Sequence, residues 1–304
     1  MLAVVSTARA GSSLLGRLIS ETEGVGYPGE IDLLWGRTIA KGEDCGCGRR
    51  PMDCPVWSKV IARFGADTHR TSDEVRELAA ELDQTRSNFG LEDAIRLPPR
   101  LAPELQRFVT ETMRLTEAYL EVTGTTTVVD TSKSLIMAAL LPHFSAFDTG
   151  GVFLHRRPAA VYASNHRRSR DPNPWVLGPR VAMGWGRVAL TATALRRRGV
   201  EMVELDYHRV TTDPSAAVAT ALSVIEHRNP ARLRSTKAGV AFSEAHVATG
   251  NQPNQEMQGP TKIEPDYRPS DPSDRIGPLL ADVLTIPFGP QRRRLISRLS
   301  PSAN

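Results

Sequence analysis

The sequence has 304 residues, of which 40% are hydrophobic, and its formal net charge is +4. This length suffices for one large α/β domain or two small ones, and we expect a single domain over 1–304. The 38 basic residues are interspersed with 34 acidic ones, so the surplus fits a phosphorylated ligand as well as nucleic acid. No stretch approaches the roughly 18 apolar residues of a membrane helix, and the first apolar run lacks the positive region of a signal peptide. We therefore expect a cytoplasmic protein without integral membrane association.

The chain begins with the pattern of a strand, a tight loop and a helix. Residues 2–5 are apolar and partly β-branched, and apolar residues recur at helical spacing over 14–19. The candidate ligands of the loop between them are Arg9, Ala10, Gly11, Ser12 and Ser13. Because the first N–H groups of a helix are unpaired and lie at the positive end of its dipole, we predict a phosphate site here. The loop lacks the Gly-Lys-Ser/Thr ending of kinase and GTPase loops.

Residues 6–15, STARAGSSLL, resemble the 5′-phosphosulfate loop of sulfotransferases that use 3′-phosphoadenosine 5′-phosphosulfate (PAPS). The family's usual form is Pro-(Arg/Lys)-(Ser/Thr)-Gly-(Ser/Thr)-(Ser/Thr); Ala8 replaces the proline, whose main effect is to restrict φ. The resemblance implies an α/β fold with a P-loop-like parallel sheet flanked by helices, and PAPS as co-substrate. It implies sulfuryl transfer to a hydroxyl or amine of a small-molecule, glycan or lipid acceptor. No metal is expected, because positioned cations such as Arg9 can stabilise the transferring group.

Residues 24–35, GVGYPGEIDLLW, are rich in glycine and are predicted to form a turn-rich loop. In family members that modify tyrosines or sugars, a Gly-Glu at this place supplies the base. By resemblance, Glu30 is the candidate that deprotonates the acceptor, which a neutral alcohol requires in order to attack. The alternative is that Glu30 only begins a helix at Ile31, where its charge suits the helix dipole.

All three cysteines, Cys45, Cys47 and Cys54, lie within ten positions. An odd, clustered set argues against a secreted disulfide framework. Three interpretations stay open. The thiols could bind a metal if Asp44, Asp53 or a histidine completed the set, although Cys-x-Cys is tighter than usual zinc spacing; they could form a local disulfide; or they could belong to an ordinary reduced turn. The pattern also resembles an insertion in bacterial sulfotransferases, which does not indicate its role.

Residues 35–124 are predicted to form a mainly helical insertion that shapes the acceptor pocket. The residues TSDE at 71–74 are typical of a helix start. Three prolines exclude a continuous helix over 91–103, and apolar residues at helical spacing predict another helix over 105–122.

A β-branched strand is predicted over 125–130, and the residues DTSKS lie at its carboxyl end. Ligands of open α/β sheets bind at the carboxyl ends of strands, so Asp130, Ser132 and Lys133 are expected near the first loop. Family members have Asp-Ser-Ser-Lys or a related lysine here. The resemblance implies that Lys133 neutralises charge on the sulfuryl group or its leaving phosphate; the alternative is an ordinary surface lysine.

The stretch 151–168 predicts a strand followed by a helix that has Pro158 in its first turn. Arg156 and Ser164 are eight positions apart, so a strand-end guanidinium and a serine two turns into the helix could face one phosphate. They resemble the Arg-Asp-Pro…Ser pattern that holds the 3′-phosphate in PAPS enzymes. Arg157 replaces the aspartate, which makes the site more basic and leaves any structural role of that aspartate unfilled.

The later chain is predicted to contain a Pro-rich loop over 169–179, a helix over 181–198 and a strand over 200–207. Residues 246–251, HVATGN, resemble a bacterial His-x-x-x-Gly-Asn-Pro segment in which a following basic residue reaches the nucleotide. Lys262 is the candidate for that contact.

The last residues, 291–304, are predicted to form a flexible tail. Two other functions remain open at this stage. A P-loop-type small-molecule or nucleotide kinase would require magnesium and ATP. A non-catalytic protein that binds a phosphonucleotide or RNA would use basic pairs such as Arg167-Arg168, but no nucleic-acid motif with interleaved aromatics is present, so no nucleic-acid partner is expected. Nothing in the sequence indicates an oligomeric state.

Overall fold

The computed structural model describes residues 1–89, 100–168, 173–225, 233, 235–236, 239–249, 257–264 and 276–285. A five-stranded parallel sheet with the order β2-β3-β1-β4-β5 lies at its centre. The strands are β1 (Leu2–Ser6), β2 (Val25–Gly29), β3 (Thr127–Asp130), β4 (Gly150–His155) and β5 (Glu201–Asp206). Helices flank the sheet, so the predicted α/β fold is confirmed.

The α-helices follow the strands and fill the connections between them. In chain order they are α1 (Ser12–Ser20), α2 (Trp57–Asp67), α3 (Ser72–Asn88), α4 (Pro103–Thr123), α5 (Leu135–Leu140), α6 (Pro158–His166), α7 (Pro174–Arg197), α8 (Tyr207–Thr212), α9 (Pro214–Leu222) and α10 (Ile276–Thr285). A 3₁₀ turn (Ile31–Leu33) and a π-helix (Leu34–Ala40) follow β2, and a second 3₁₀ turn (Leu141–His143) follows α5. Within the described residues, no helix combines the length and the apolar character needed to cross a bilayer.

The central strand β1 is buried on both faces. Ala3 and Val5 belong to one hydrophobic cluster, together with side chains of α2, α4 and α7. Leu2 and Val4 belong to a second cluster, together with side chains of α1 and α9. Successive side chains of a strand point to opposite faces, so the uninterrupted apolar run 2–5 serves both layers of helices, as is usual in parallel sheets.

The connections divide at β1 and β4, which are neighbours in the sheet. The chain leaves β1 toward β2 on one side and leaves β4 toward β5 on the other. Such a reversal opens a crevice at the carboxyl ends of the two strands, where ligands of open α/β sheets bind. The loops that carry Arg9 and Arg156 therefore begin side by side, in register from Ser6 to Leu154.

The prediction of a turn-rich loop over 24–35 is wrong for its first half. Val25–Gly29 is a strand at one edge of the sheet, paired with β3 alone. An edge strand tolerates Pro28, because a residue without an N–H can face away from the neighbouring strand. The register with β3 shifts between Gly26 and Gly29, which accommodates the glycine-rich sequence.

The prediction of a Pro-rich loop over 169–179 is also partly wrong. Helix α7 begins at Pro174 and includes Pro179, so it starts seven residues before the predicted helix at 181. The side chain of Asn173 caps it by accepting the N–H of Trp175 at 3.0 Å. A proline fits the first helical turn, where its missing N–H has no intrahelical acceptor.

A small antiparallel sheet, absent from the sequence prediction, contains β6 (Ser235–Thr236), β7 (Gly239–Phe242) and β8 (Gly259–Thr261). Val240 and Phe242 of β7 pack into the cluster around α1. The buried Arg17 of α1 lies with its guanidinium carbon 5.3 Å from the centroid of the Phe242 ring, and it donates to the carbonyl of Ser243 at 2.8 Å. The strands are short, which is why alternation in the sequence did not indicate them.

Gly29 ends β2 directly before Glu30, and we expect Gly29→Ala to be strongly destabilising. Its φ is +107°, and an added Cβ would lie 2.0 Å from the carbonyl oxygen of Thr249. Strain and overlap together should lower the free energy of unfolding by roughly 2–5 kcal/mol, measured by denaturant titration. Gly184→Ala, in an open position of α7 with no neighbour within 4 Å, should be neutral or slightly stabilising. Equal effects of the two substitutions would contradict this account of Gly29.

Candidate active site at the carboxyl ends of the strands

The loop after β1 turns sharply into helix α1. Arg9 and Gly11 have φ angles of +69° and +101°, and the N–H of Ala10 donates back to the carbonyl of Thr7 at 3.2 Å. A Cβ at Gly11 would lie 2.6 Å from the Tyr207 ring, so only glycine fits between this loop and α8. Gly11 is also the N-cap of α1. With no side chain to cap the helix, it leaves the first N–H groups available to an anion.

The two serines of the loop are both buried. The hydroxyl of Ser13 contacts the hydroxyl of Tyr27, which is itself 2.9 Å from the hydroxyl of Thr131. Burial raises the pKa of Tyr27, so its phenol stays protonated and can act as a donor. Tyr27 thus ties the start of α1 to β2 and to the turn after β3.

Arg156 follows β4 and reaches the loop after β1. Its side chain is largely buried, with 6% of the residue exposed. One guanidinium nitrogen, Nη1, donates to the carbonyl oxygen of Arg9 at 3.2 Å. The guanidinium carbon lies 4.3 Å from the centroid of the Tyr207 ring, a cation–π distance. Arg156, Tyr207 and the first loop therefore form one contact cluster, and Tyr207 is a member that the sequence prediction missed.

Positive charge is concentrated beside the first loop. Burial, and then repulsion from Arg168, lower the pKa of Arg9. Two cations at the positive end of α1 produce a potential that a bound anion would relieve. The sequence indicated Arg168 only as part of the basic pair Arg167-Arg168. Its proximity to Arg9 results from the fold.

Glu30 and Lys133 come from neighbouring strand ends and form an ion pair. Glu30 follows β2 and Lys133 follows β3, and both side chains are only partly exposed. Thr249 fixes the backbone of Glu30: its hydroxyl accepts the Glu30 N–H at 2.7 Å and lies 2.9 Å from the Glu30 carbonyl oxygen. Thr249 is remote in sequence from both residues and is not among the predicted site residues.

Asp130 and Ser132, which the sequence placed near the first loop, hold the turn after Glu30. The carboxylate Oδ1 of Asp130 accepts the N–H groups of Ile31 and Ser132 at 3.0 and 2.9 Å, and the Ser132 hydroxyl at 2.5 Å. The same hydroxyl accepts the N–H of Asp32 at 3.1 Å. These bonds link the loops after β2 and β3, so both residues have a positioning role.

Asp32 is a buried carboxyl group beneath this turn. Burial, reinforced by the charge of Asp130, raises its pKa from 3.8 to about 7. Its Oδ1 has no hydrogen-bond partner among the described residues, and Oδ2 lies 3.8 Å from Nη1 of Arg86. Burial likewise raises the pKa of Asp130, to about 6.

We expect the protein to lose stability as the pH rises from about 4 to about 7, because folded Asp32 binds its proton more tightly than unfolded Asp32 does. Asp32→Asn should remove this cost and raise the free energy of unfolding near pH 8 on the order of 2 kcal/mol more than near pH 5. Denaturant titrations at both pH values measure the difference. Asp53→Asn, at an exposed position, is the control; a pH-independent effect of Asp32→Asn would refute the expectation.

The remaining predicted ligands lie at different degrees of exposure. Ser164 is half-buried, two turns into α6. Lys262 follows β8, its side chain is 78% exposed, and it pairs with Glu264. Of the segment HVATGN, residues 246–249 are described, whereas 250 and 251 lie outside the described residues, as does the predicted tail over 291–304.

A carboxylate from α10 caps α6. Arg157 donates to Oδ2 of Asp282, in α10, at 2.8 Å, and Oδ1 of Asp282 accepts the N–H of Ala159 at 2.9 Å. Arg157 stands where the Arg-Asp-Pro pattern has an aspartate, so the segment itself has no carboxylate at that position. Asp282 supplies a carboxylate to the same helix start from 125 residues away.

No protein-family model matches the chain, and no curated protein matches it. The solved structures that it resembles are sulfotransferases. The sulfotransferase domain from the curacin biosynthetic pathway is 12% identical, with a TM-score of 0.46, over 100% of this chain and 98% of that one. The sulfotransferase domain of the Synechococcus PCC 7002 olefin synthase is 17% identical, with a TM-score of 0.46, over 100% and 95%. The sulfotransferase STF9 from Mycobacterium avium is 14% identical, with a TM-score of 0.43, over 73% and 62%.

All of these structures are sulfotransferases by name, and the sequence motifs of the chain also resemble sulfotransferases. Identities of 17% or less and TM-scores below 0.5 do not by themselves assign an activity to the chain.

Proposed function

We propose that this protein transfers a sulfuryl group from PAPS to a hydroxyl or amine of an acceptor. One observation carries the proposal: Arg156 contacts the carbonyl of Arg9 in the crevice between β1 and β4. A buried guanidinium is thereby placed against a loop that ends in an uncapped helix N-terminus. Two anion-binding elements in contact suit a ligand with two separated phosphate groups.

In this proposal, each end of the donor has its own set of ligands. The N–H groups at the start of α1 and the hydroxyls of Ser12 and Ser13 hold the 5′-phosphosulfate, and Ala10 and Gly11 let the backbone approach it. Arg156 and Ser164 hold the 3′-phosphate. The planar guanidinium suits a phosphate because it donates two parallel hydrogen bonds. Lys262 remains a further candidate contact to the nucleotide.

The reaction is an in-line displacement at sulfur. Glu30 takes the proton of the acceptor group as the acceptor oxygen or nitrogen forms its bond to sulfur. The bond between sulfur and the phosphate oxygen breaks, and adenosine 3′,5′-bisphosphate leaves with the electron pair. Arg9 and Lys133 stabilise the charge that develops on the sulfuryl oxygens and the leaving phosphate. Glu30 then returns its proton to water.

Two contacts of Glu30 support its proposed role as a positioned base. Its backbone is held by Thr249, and its carboxylate is oriented by Lys133. A proton-transfer group must be held within hydrogen-bond reach of its substrate, so fixed orientation contributes directly to the rate. The helices between β2 and β3 would shape the pocket for a small-molecule, glycan or lipid acceptor.

The kinase alternative is disfavoured by the first loop. No lysine stands between Gly11 and Ser12, whereas P-loop kinases use a lysine there and place the next hydroxyl on magnesium. A non-catalytic phosphonucleotide-binding protein would have no use for an oriented carboxylate beside the donor site.

Calorimetry with adenosine 3′,5′-bisphosphate, followed by incubation with sulfur-labelled PAPS and fractionated metabolites, tests the proposal. We expect binding that is weakened when adenosine 5′-monophosphate replaces the bisphosphate, and transfer of label without added magnesium. Binding without transfer to any fraction would favour the non-catalytic alternative. Preference for ATP with magnesium would favour the kinase.

A further inference from the structure

The three cysteines and one distant histidine form a cluster outside the proposed active site. Sulfur atoms of Cys45, Cys47 and Cys54 and a ring nitrogen of His246 all lie within 4.8 Å of one another. Cys45 and Cys54 are buried, and the other two residues are half-buried. The sequence offered Asp44, Asp53 or a histidine as the fourth member; the fold brings in His246, which is 192 residues from Cys54.

Two separations within this cluster match those of a tetrahedral metal site. With Zn–S bonds of about 2.3 Å and Zn–N bonds of about 2.0–2.1 Å, tetrahedral angles place two sulfurs about 3.8 Å apart and a sulfur and a nitrogen about 3.5 Å apart. The sulfurs of Cys45 and Cys54 are 3.7 Å apart, and the Cys54 sulfur is 3.4 Å from Nδ1 of His246. A disulfide would instead require about 2.05 Å, and all three cysteines are free.

The backbone around the cluster is arranged to support thiolates. The N–H groups of Val56 and Trp57, at the start of α2, donate to the sulfur of Cys54, and the N–H of Cys47 donates to the sulfur of Cys45. Hydrogen bonds of this kind and a helix N-terminus both stabilise a negatively charged sulfur. Burial has the larger, opposite effect and raises the pKa of Cys45 and Cys54, an effect that a bound cation would reverse.

Further bonds hold His246 in place beside the cysteine loop. Its carbonyl accepts the indole N–H of Trp57 at 2.8 Å. The next carbonyl, that of Val247, accepts the N–H of Gly46 at 2.8 Å. The segment 246–247 is thus bonded to Gly46, which lies between the first two cysteines, and to Trp57, which follows the third. These bonds do not depend on any ligand, and a metal site needs such preorganisation.

We infer that Cys45, Cys47, Cys54 and His246 bind one structural zinc ion. Three thiolates and one imidazole are a common zinc set, and four protein ligands close the coordination sphere, which is typical of structural sites. The mixture of soft sulfur and nitrogen donors in a tetrahedral arrangement selects zinc over magnesium or calcium. The ion would join the loop before α2 to the segment that carries Thr249.

Metal analysis of the full chain, purified under reducing conditions and freed of any affinity tag, tests the inference. We expect one zinc ion per chain by inductively coupled plasma mass spectrometry. Cys47→Ser and His246→Ala should each lose most of it, because each removes one of four ligands. His143→Ala, at a half-buried histidine outside the cluster, should keep it. Replacement of zinc by cobalt(II) should give the visible bands of tetrahedral thiolate coordination, absent in Cys47→Ser.

Removal of zinc by a chelator should also lower the melting temperature, by roughly 5–10 °C, because the ion binds only the folded chain. Either of two results, obtained with folded wild-type protein, would overturn the inference. One is a metal-free protein with three titratable thiols, and the other is a disulfide between Cys45 and Cys54 detected by mass spectrometry. Neither measurement depends on PAPS, so the zinc site and the proposed activity can fail separately.

Discussion

Glu30→Gln is expected to reduce sulfuryl transfer by about 10²–10⁴-fold, the usual contribution of a general base. Glutamine keeps the shape of the side chain and can still accept a hydrogen bond from Lys133, but it cannot take the acceptor proton. Affinity for adenosine 3′,5′-bisphosphate should stay within about threefold of the wild-type value, because a loss of less than about 0.7 kcal/mol is expected when no donor ligand is removed. Transfer of label from PAPS and calorimetry measure the two quantities.

The matched control is Glu77→Gln, which makes the same chemical change at an exposed position of α3. It should leave both transfer and nucleotide binding unchanged. Full transfer by Glu30→Gln would show that the proton goes elsewhere, and the ion pair with Lys133 would then be structural. A loss of nucleotide binding equal to the loss of transfer would place Glu30 on the donor and not on the acceptor.

Arg156→Ala should weaken the binding of adenosine 3′,5′-bisphosphate by about 30–1,000-fold, which corresponds to about 2–4 kcal/mol for the loss of a buried, charged, two-pronged contact. Arg156→Lys should recover part of the affinity, since it restores the charge but not the fork. Titration calorimetry with adenosine 3′,5′-bisphosphate and with adenosine 5′-monophosphate separates the two phosphates. The loss should be large for the bisphosphate and small for the monophosphate.

Arg156 also contacts Arg9 and Tyr207, so its removal will have a structural effect as well. Thermal unfolding of each variant measures that effect. Arg197→Ala, at the exposed end of α7, controls for the loss of one positive charge at long range. Equal weakening for both nucleotides in a folded Arg156→Ala variant would contradict its assignment to the 3′-phosphate.

The elements that the sequence predicted well are those whose signal is local. The run 2–5, the Gly-Ser loop and the following apolar spacing are contiguous, and they specify β1, the first loop and α1. Pro158 correctly marked the start of α6. Pro28 lies in an edge strand and Pro174 in a first helical turn, but both were predicted to lie in loops. Local sequence does not reveal the position of a strand in its sheet.

The contacts that complete the site were missed because their partners are far apart in sequence. Thr249 fixes Glu30, Tyr207 packs against Arg156 and the first loop, and Asp282 caps α6. None of these residues lies in a pattern that indicates its role, because a threonine, a tyrosine or an aspartate is common on any surface. The sequence could nominate Glu30 and Arg156 from motifs, whereas the residues that position them depend on how the chain returns to the sheet.

The contact between Lys133 and Glu30 has a kinetic consequence for an enzyme of the proposed type. In the free protein the ammonium group of Lys133 is held against the carboxylate of Glu30 and occupies a position that the proton of an acceptor would need. When the sulfonate of a donor arrives, its oxygens compete for the same ammonium group, and the carboxylate is released to contact the acceptor as the lysine turns away. An acceptor that entered first would find the carboxylate of Glu30 still bound to Lys133. The site therefore favours an ordered sequence in which the nucleotide binds before the molecule to be modified.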